Sequence, residues 1–133
     1  MFIYLSNFEL FQLSHKASND IIITVDKSII GKQELISIIS RGVNSPYFDD
    51  NWDGLEESLR DLSWIMDGTI RIIHQELPTL PYSDMNLYVS ILKTAVDSWD
   101  KSGKGVNRQD LKVYFSDSIK LYIETMISTE NIT

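Results

Sequence analysis

The sequence predicts a three-layer α/β/α fold built on a small parallel sheet of three strands. Three runs rich in β-branched and aromatic residues have the composition of strands: Ile21–Val25, Thr69–His74 and residues 111–115. The segments between them place apolar residues at helical spacing. Strands separated by helices normally pair in parallel through crossover connections, so we expect helices on both faces of the sheet.

Length and composition narrow the classes of function. The chain has 133 residues, so we expect one domain over residues 1–133. A net charge of −7 argues against direct nucleic-acid binding and favours a basic partner. Cysteine is absent, which excludes disulfides and thiolate metal sites and is typical of a cytoplasmic protein. We find no signal-peptide pattern and no apolar run near the ~20 residues that span a bilayer, so we expect no membrane association.

The first elements of the chain differ in the strength of their sequence patterns. Phe8, Leu10 and Phe11 could line one side of a strand that forms a hairpin with Ile21–Val25. The Ile21–Val25 run itself has the pattern of a strand buried on both faces. A helix should then begin at Gly31 and end near Gly42, with Glu34 placed to reach back as in a capping box. Its apolar face would comprise Leu35, Ile36, Ile38, Ile39 and Val43.

The second predicted helix is the most informative stretch. Asn51 is a good N-cap, because its side chain can accept a hydrogen bond from a free amide of the first turn. One stripe of this helix is apolar: Trp52, Leu55, Leu59 and Leu62. Asp53, Glu57 and Asp61 lie four residues apart on another face, with Glu56 beside them and only Arg60 as a local cation.

This acidic row has two interpretations. Acids near a helix N-terminus are favoured by the macrodipole, and an acidic outer face keeps a domain in solution. Like charges four residues apart, however, repel and cost the helix stability. A face that keeps such repulsion fits a surface built to meet a cation.

The remaining elements follow in order. A turn at Asp67 and Gly68 precedes the Thr69–His74 strand, and Ser83 or Asp84 could cap a third helix. The apolar stripe of that helix would be Leu87, Ile91, Leu92, Ala95 and Trp99, followed by a loop at residues 101–105. Residues 117–127 predict a terminal helix, with a strand as the alternative; its apolar side would be Ile119, Tyr122, Ile123, Met126 and Ile127. We expect Trp52 and Trp99 in the core. Trp64 has two alternatives: it lies in the core, or, if the helix extends to it, on the acidic side.

The sequence does not suggest an enzyme. His15 and His74 have no Cys, His or carboxylate at ligand spacing, so we expect neither a metal nor any other cofactor. No serine lies in a nucleophile elbow. Asp53 and Glu57 could in principle act as an acid and base pair, but on an exposed helix burial would not separate their pKa values.

Residues 46–64 carry a family resemblance. They read Pro-Tyr-Phe-x-x-Asn-Trp-Asp-Gly-Leu-x-x-x-Leu-x-x-Leu-Ser-Trp, which resembles the signature of barstar-type ribonuclease inhibitors. The order of elements extends the resemblance over about residues 21–115, and it implies the same α/β/α fold, with an added N-terminal strand and C-terminal helix. Three positions depart from the family pattern: Asp49 replaces a usual Gly, Glu56 stands where the family often has Trp, and Glu57 stands where barstar itself has Asp.

The resemblance also implies a function and a site. The chain would be an immunity protein that inhibits a ribonuclease or related nuclease toxin by blocking its active site, and it would be a monomer when free. The family's loop aromatic falls on Tyr47 and its two principal helix acids fall on Asp53 and Glu57; Asp50 and Glu56 would contribute further carboxylates. The alternative is a barstar-like binding module for a different basic partner.

Overall fold

The computed structural model describes residues 1–16, 18–46, 50–103 and 108–132 of the chain. Within these residues, four strands form one sheet in the order β1-β4-β3-β2: β1 (Ile3–Leu5), β2 (Ile21–Val25), β3 (Thr69–His74) and β4 (Asp110–Ser116). Five α-helices accompany them: α1 (Asn7–Ser14), α2 (Lys32–Gly42), α3 (Trp52–Asp61), α4 (Tyr82–Ser102) and α5 (Lys120–Ile132). A 3-10 turn at Asp117–Ile119 joins β4 to α5.

The predicted parallel sheet is confirmed. Strand β3 pairs in parallel with β2 on one side and with β4 on the other, so that Ile70 lies opposite both Ile21 and Leu111. Strand β1 adds a short fourth strand, parallel to β4. The fold is therefore the expected α/β/α arrangement, with an extra N-terminal strand and a C-terminal helix.

The order of the strands explains why helices lie on both faces. The path β2, β3, β4 steps across the sheet in one direction, whereas the step from β1 to β2 crosses it in the other. Right-handed crossovers place the connecting helices of these two directions on opposite faces. Leu10 of α1 accordingly packs with Ile73 and Tyr114, in a buried cluster separate from the main core that α2, α3, α4 and α5 cover.

The N-terminal strand prediction was wrong in its placement. Phe8, Leu10 and Phe11 lie in α1, and the strand of this region pairs with β4 rather than forming a hairpin with β2. Ser6 and Glu9 form a capping box that starts the helix: each side chain accepts a hydrogen bond from the other residue's backbone amide, at 3.1 Å in both cases. Leu10 then faces the sheet and is buried, while Phe8 and Phe11 are 68% and 53% exposed.

The predictions for β2 and α2 hold with two corrections. Strand β2 lies at the edge of the sheet and exposes Thr24, so it is not buried on both faces. Helix α2 buries the expected apolar side except for Ile38, which is half-buried. Glu34 reaches back one residue beyond the cap, Gly31, and accepts a hydrogen bond from the amide of Ile30 at 3.1 Å, so the expected capping box does not form. Gly42 ends this helix where a Cβ would lie 2.7 Å from the Ile23 side chain, so any other residue there would force Ile23 to shift.

The start and the exposed side of α4 differ from expectation. The helix begins at Tyr82 after Pro81, and neither Ser83 nor Asp84 caps it. Pro81 is the N-cap residue, with an extended ψ of 152°, and its carbonyl accepts the hydrogen bond of the Met85 amide that begins the helix. Leu87 is 49% exposed, and the stripe that packs on the core passes through Met85, Tyr88 and Val89, with Ile91, Leu92, Ala95 and Trp99 as predicted.

Helix α4 is longer than predicted, and the terminal segment is helical. Lys101 and Ser102 belong to α4 rather than to a loop, and residues 104 and 105 lie outside the described residues. The terminal segment is a helix, so the strand alternative was wrong. Ile123 and Met126 are buried on it, whereas Tyr122 is 44% exposed. In the part of the chain described here, no helix is both long and apolar enough to span a membrane.

Candidate functional site: an acidic face on helix α3

Helix α3 starts as the sequence predicts. The Asn51 side chain accepts a hydrogen bond from the amide of Gly54 at 2.8 Å, which satisfies one free donor of the first turn. Asp53 lies in that turn, where the helix dipole favours a negative charge. Asp50 is exposed just before the cap. Tyr47, the predicted aromatic contact, falls on residues 47–49, which lie outside the described residues.

The inner side of α3 is fixed by packing and by hydrogen bonds to its backbone. Leu55 and Leu59 are fully buried against the main core. The Trp99 indole of α4 donates a hydrogen bond to the carbonyl of Leu59 at 2.8 Å, which ties the two helices together. The Ser58 hydroxyl lies 2.7 Å from that of Ser45, so the start of the loop that follows α2 is held to the inner side of α3.

The carboxyl end of α3 is also anchored. The chain leaves the helix at Leu62, whose φ of 50° is left-handed. The Leu62 carbonyl accepts hydrogen bonds from the Gln109 side chain at 3.2 Å and from the Ile65 amide at 3.1 Å, so the end of the helix is held by two donors. Trp64 lies beyond the helix, and its indole donates to the carbonyl of Val43 at 2.7 Å. Trp64 therefore contributes to the packing between α2 and α3 and does not join the acidic face.

The outer side of α3 carries the predicted acids. Asp53 and Glu57 are exposed, while Glu56 and Asp61 are half-buried. Together with Arg60 and with Ser98 of α4, these four acids line a shallow surface depression of about 670 Å³. The row from Asp53 to Asp61 extends roughly 12 Å along the helix axis, at 1.5 Å per residue. We call this surface, residues Asp53, Glu56, Glu57, Arg60, Asp61 and Ser98, the acidic face.

Pairing within the acidic face separates the acids into two groups. Glu56 forms an ion pair with Arg60 at 3.8 Å, one helical turn away. Asp61 interacts with other groups of the chain. For Asp53 and Glu57, we find no ion pair with any of the residues that the structure describes. Among the acids of the acidic face, these two carboxylates are therefore the least compensated by the residues that the structure describes.

The two tryptophans predicted for the core occupy different positions. Trp99 is buried, as expected. Trp52, the first residue of α3, is only half-buried and packs on the Tyr88 ring with 6.2 Å between centroids. Trp52 thus connects the start of the acidic helix to the core of α4.

His74 is fully buried next to the Tyr88 ring, and both of its ring nitrogens have hydrogen-bond partners. The Nδ1 of His74 lies 2.9 Å from the Tyr114 carbonyl, which can only accept, so Nδ1 carries the proton and Nε2 accepts from the Tyr88 hydroxyl at 2.5 Å. Burial lowers the pKa of His74 to about 4. The His74 ring also stacks on Phe115 at 4.3 Å between centroids. The side chain is thus held neutral and has no free nitrogen for a metal or a substrate.

Sequence reasoning missed the α4 residues that lie in and next to the acidic face. Ser98 lines the same depression, and a second depression that shares Ser98 carries Asp97 and Asp100 of α4. The spacing of Asp97 and Asp100 puts both on the polar side of α4, which was a usable signal. Their closeness to α3 depends on how the helices pack, which the sequence pattern alone does not give. In the described portion of the chain, no group of three or more His, Cys, Asp or Glu side chains could hold a metal ion.

Comparison with known proteins identifies one family. A model of the barstar family, described as barnase inhibitor, matches residues 21–115. The match covers β2 to β4 and includes the acidic face, and it leaves β1, α1 and α5 outside. Neither a curated protein nor a solved structure gives a significant match.

Proposed function

The chain belongs to the barstar family, whose members bind and inhibit a ribonuclease, and from this premise we propose that it inhibits a basic ribonuclease by occupying the active-site cleft with its acidic face. Ribonuclease clefts hold the phosphates of RNA with cationic side chains. Carboxylates placed at the same spacing would occupy those positions and exclude the substrate.

One observation carries this proposal. Asp53 and Glu57 lie side by side on the exposed side of a helix whose inner side and both ends are anchored, and neither is paired within the described chain. Charged groups held in advance at fixed positions lose little freedom when a partner binds. Glu56 and Asp50 would add charge beside them, and Tyr47 would supply an aromatic anchor of the kind that dominates interfaces.

The proposal includes the biological role. The chain would act as an immunity protein in the cytoplasm of the cell that makes the nuclease, as a free monomer and as one unit over residues 1–133. Members of the family are inhibitors rather than enzymes, and we propose that this chain has no catalytic activity of its own. The alternative is a binding module for another basic protein, which the same acidic face would also suit.

The test is an RNA-cleavage assay with two nucleases. Barnase is the first, because the family is described by it; the second is any ribonuclease recovered from the source cells on the immobilised chain. We expect stoichiometric loss of cleavage for at least one of them, competitive with RNA. The Asp53→Ala/Glu57→Ala double variant is the matched control and should leave cleavage intact. Binding of a basic protein that has no nuclease activity, without inhibition of either ribonuclease, would favour the alternative.

Salt should slow the association of the chain with its ribonuclease. A net charge of −7 and an exposed acidic face would steer a basic partner at long range, and salt screens that attraction. We expect the association rate to fall steeply between low and physiological ionic strength, while the dissociation rate changes less. Stopped-flow mixing at several salt concentrations measures both rates. A flat association rate would argue against steering by this surface.

A further inference from the structure

Arg60 is a cation placed among acids on the proposed binding surface. It follows Glu56 by four residues and Glu57 by three, so both acids lie one helical turn away on the N-terminal side. It lines the same depression as Asp53 and Asp61. The side chain of Arg60 is 56% exposed, so its guanidinium extends toward solvent and is not packed against the core.

A guanidinium in this position conflicts with a partner that is uniformly basic. If the acidic face is covered by a cationic cleft, Arg60 is removed from water opposite like charge. An unpaired charge in a desolvated interface is strongly unfavourable, and like charges placed opposite each other weaken the binding of a wrong partner by about a hundredfold or more. The surface therefore fits a cleft with a pattern of charge better than one with positive charge alone.

The existing partner of Arg60 can be exchanged. Its ion pair with Glu56 spans 3.8 Å between side chains that are 56% and 34% exposed, and such pairs between neighbouring turns at a surface are weak. Glu56 could turn to a cation of the ribonuclease while Arg60 turns to a carboxylate. Two charge pairs across the interface would then replace one weak pair within the helix.

We propose that Arg60 is a specificity-determining residue, which selects a ribonuclease whose basic cleft presents a carboxylate opposite it. This inference rests on the proposed function and adds the charge pattern of the partner. A carboxylate within a cationic cleft is chemically reasonable, because RNA cleavage by acid–base catalysis can use Asp or Glu as the general base. Guanidinium suits this contact, since its planar donors match a carboxylate with two hydrogen bonds.

A purely local role for Arg60 predicts that its replacement strengthens binding, whereas our proposal predicts that it weakens binding. If Arg60 only relieves repulsion between Glu56 and its neighbours, its loss makes the acidic face more negative. A uniformly basic partner would then bind an Arg60→Ala variant more tightly, and an Arg60→Glu variant more tightly still. With a carboxylate opposite, both variants weaken binding, and Arg60→Glu does so more.

The experiment is calorimetric binding of barnase, and of any ribonuclease recovered from the source cells, to the wild type and four variants: Arg60→Ala, Arg60→Glu, Arg60→Lys and Asp53→Ala. We expect Arg60→Ala to raise Kd roughly tenfold or more and Arg60→Lys to raise it less. A fall in Kd for Arg60→Ala or Arg60→Glu would overturn the proposal. Thermal melts of each variant check that the chain stays folded.

A double-mutant cycle on the ribonuclease identifies the carboxylate. Each acid of its cleft is changed to the amide, and the Kd of each such variant is measured with wild-type chain and with Arg60→Ala. We expect the effects to be non-additive for one acid; additivity for every cleft acid would overturn the proposal. The Asp53→Ala variant distinguishes a failure of the proposed function from a failure of the proposed role of Arg60. If Asp53→Ala binds normally, or if neither ribonuclease binds the wild type, the proposed function fails, and the role of Arg60 falls with it.

Discussion

Removal of the carboxylate of Asp53 or of Glu57 should each weaken ribonuclease binding by about 2–5 kcal/mol, the range for truncating one partner of a buried charge pair. Both side chains are exposed in the free chain and neither has an ion pair among its described residues. In a complex, each would face a cation in a water-excluded cleft, where its loss leaves that cation unpaired. Asp61 lies farther along the helix and already interacts within the chain, so Asp61→Ala should mainly lower the association rate.

The measurement is the Kd and both rate constants for the three Ala variants. Glu9→Gln is the matched control, because it also removes one negative charge but lies on α1, across the sheet from α3; glutamine keeps the capping hydrogen bond. Thermal melts should show all variants folded, since the core side of α3 is untouched. If the three Ala variants bind alike, or if Asp53→Ala matches Glu9→Gln, the acidic face is only a solvated surface.

The elements that could be predicted are those with a strong local pattern. The Thr69–His74 run and the Ile21–Val25 run are dense in β-branched residues, and no competing helical period exists within them. Helix α3 has a cap, an apolar stripe and an acidic row that all agree in register. The acids of the candidate site could be placed on one face for the same reason, because helix geometry alone determines which residues align.

The features that were missed depend on tertiary packing or on short signals. Helix α1 has only eight residues, and its capping box at Ser6 and Glu9 was not recognised, because Phe8, Leu10 and Phe11 form an imperfect alternation that resembles a strand. Leu87 fits the helical period of α4 but is half-exposed. Periodicity alone therefore placed Leu87 in the buried stripe, although the packing of the helix buries Tyr88 and Val89 instead. The approach of Ser98 to α3 depends on how α3 and α4 pack together, and the sequence pattern of neither helix alone predicts it.

The buried pair of His74 and Tyr88 should make the chain less stable in mild acid. His74 is fully buried and neutral, and its pKa is lowered to about 4 from an ordinary value of 6.5. The unfolded chain therefore binds more protons than the folded chain between these values, so stability is full above about pH 6.5 and falls as the pH approaches 4. At about 1.4 kcal/mol for each unit of pKa difference, His74 alone should account for a loss of about 3 kcal/mol.

Urea denaturation at intervals from pH 7 to pH 4 measures this loss. The control is the His74→Phe/Tyr88→Phe double variant, which removes the titrating group and also the hydroxyl that would otherwise lose its partner. The carboxylates of Asp20 and Asp26 accept hydrogen bonds from the Thr69 amide and from Ser28, which lower their pKa values; they titrate in both proteins and cancel in the difference. We expect the wild-type free energy of unfolding to fall more steeply with acid than that of the double variant. Parallel curves would mean that His74 does not govern the acid response, and that protonation is accommodated without loss of its contacts to Tyr88 and the Tyr114 carbonyl.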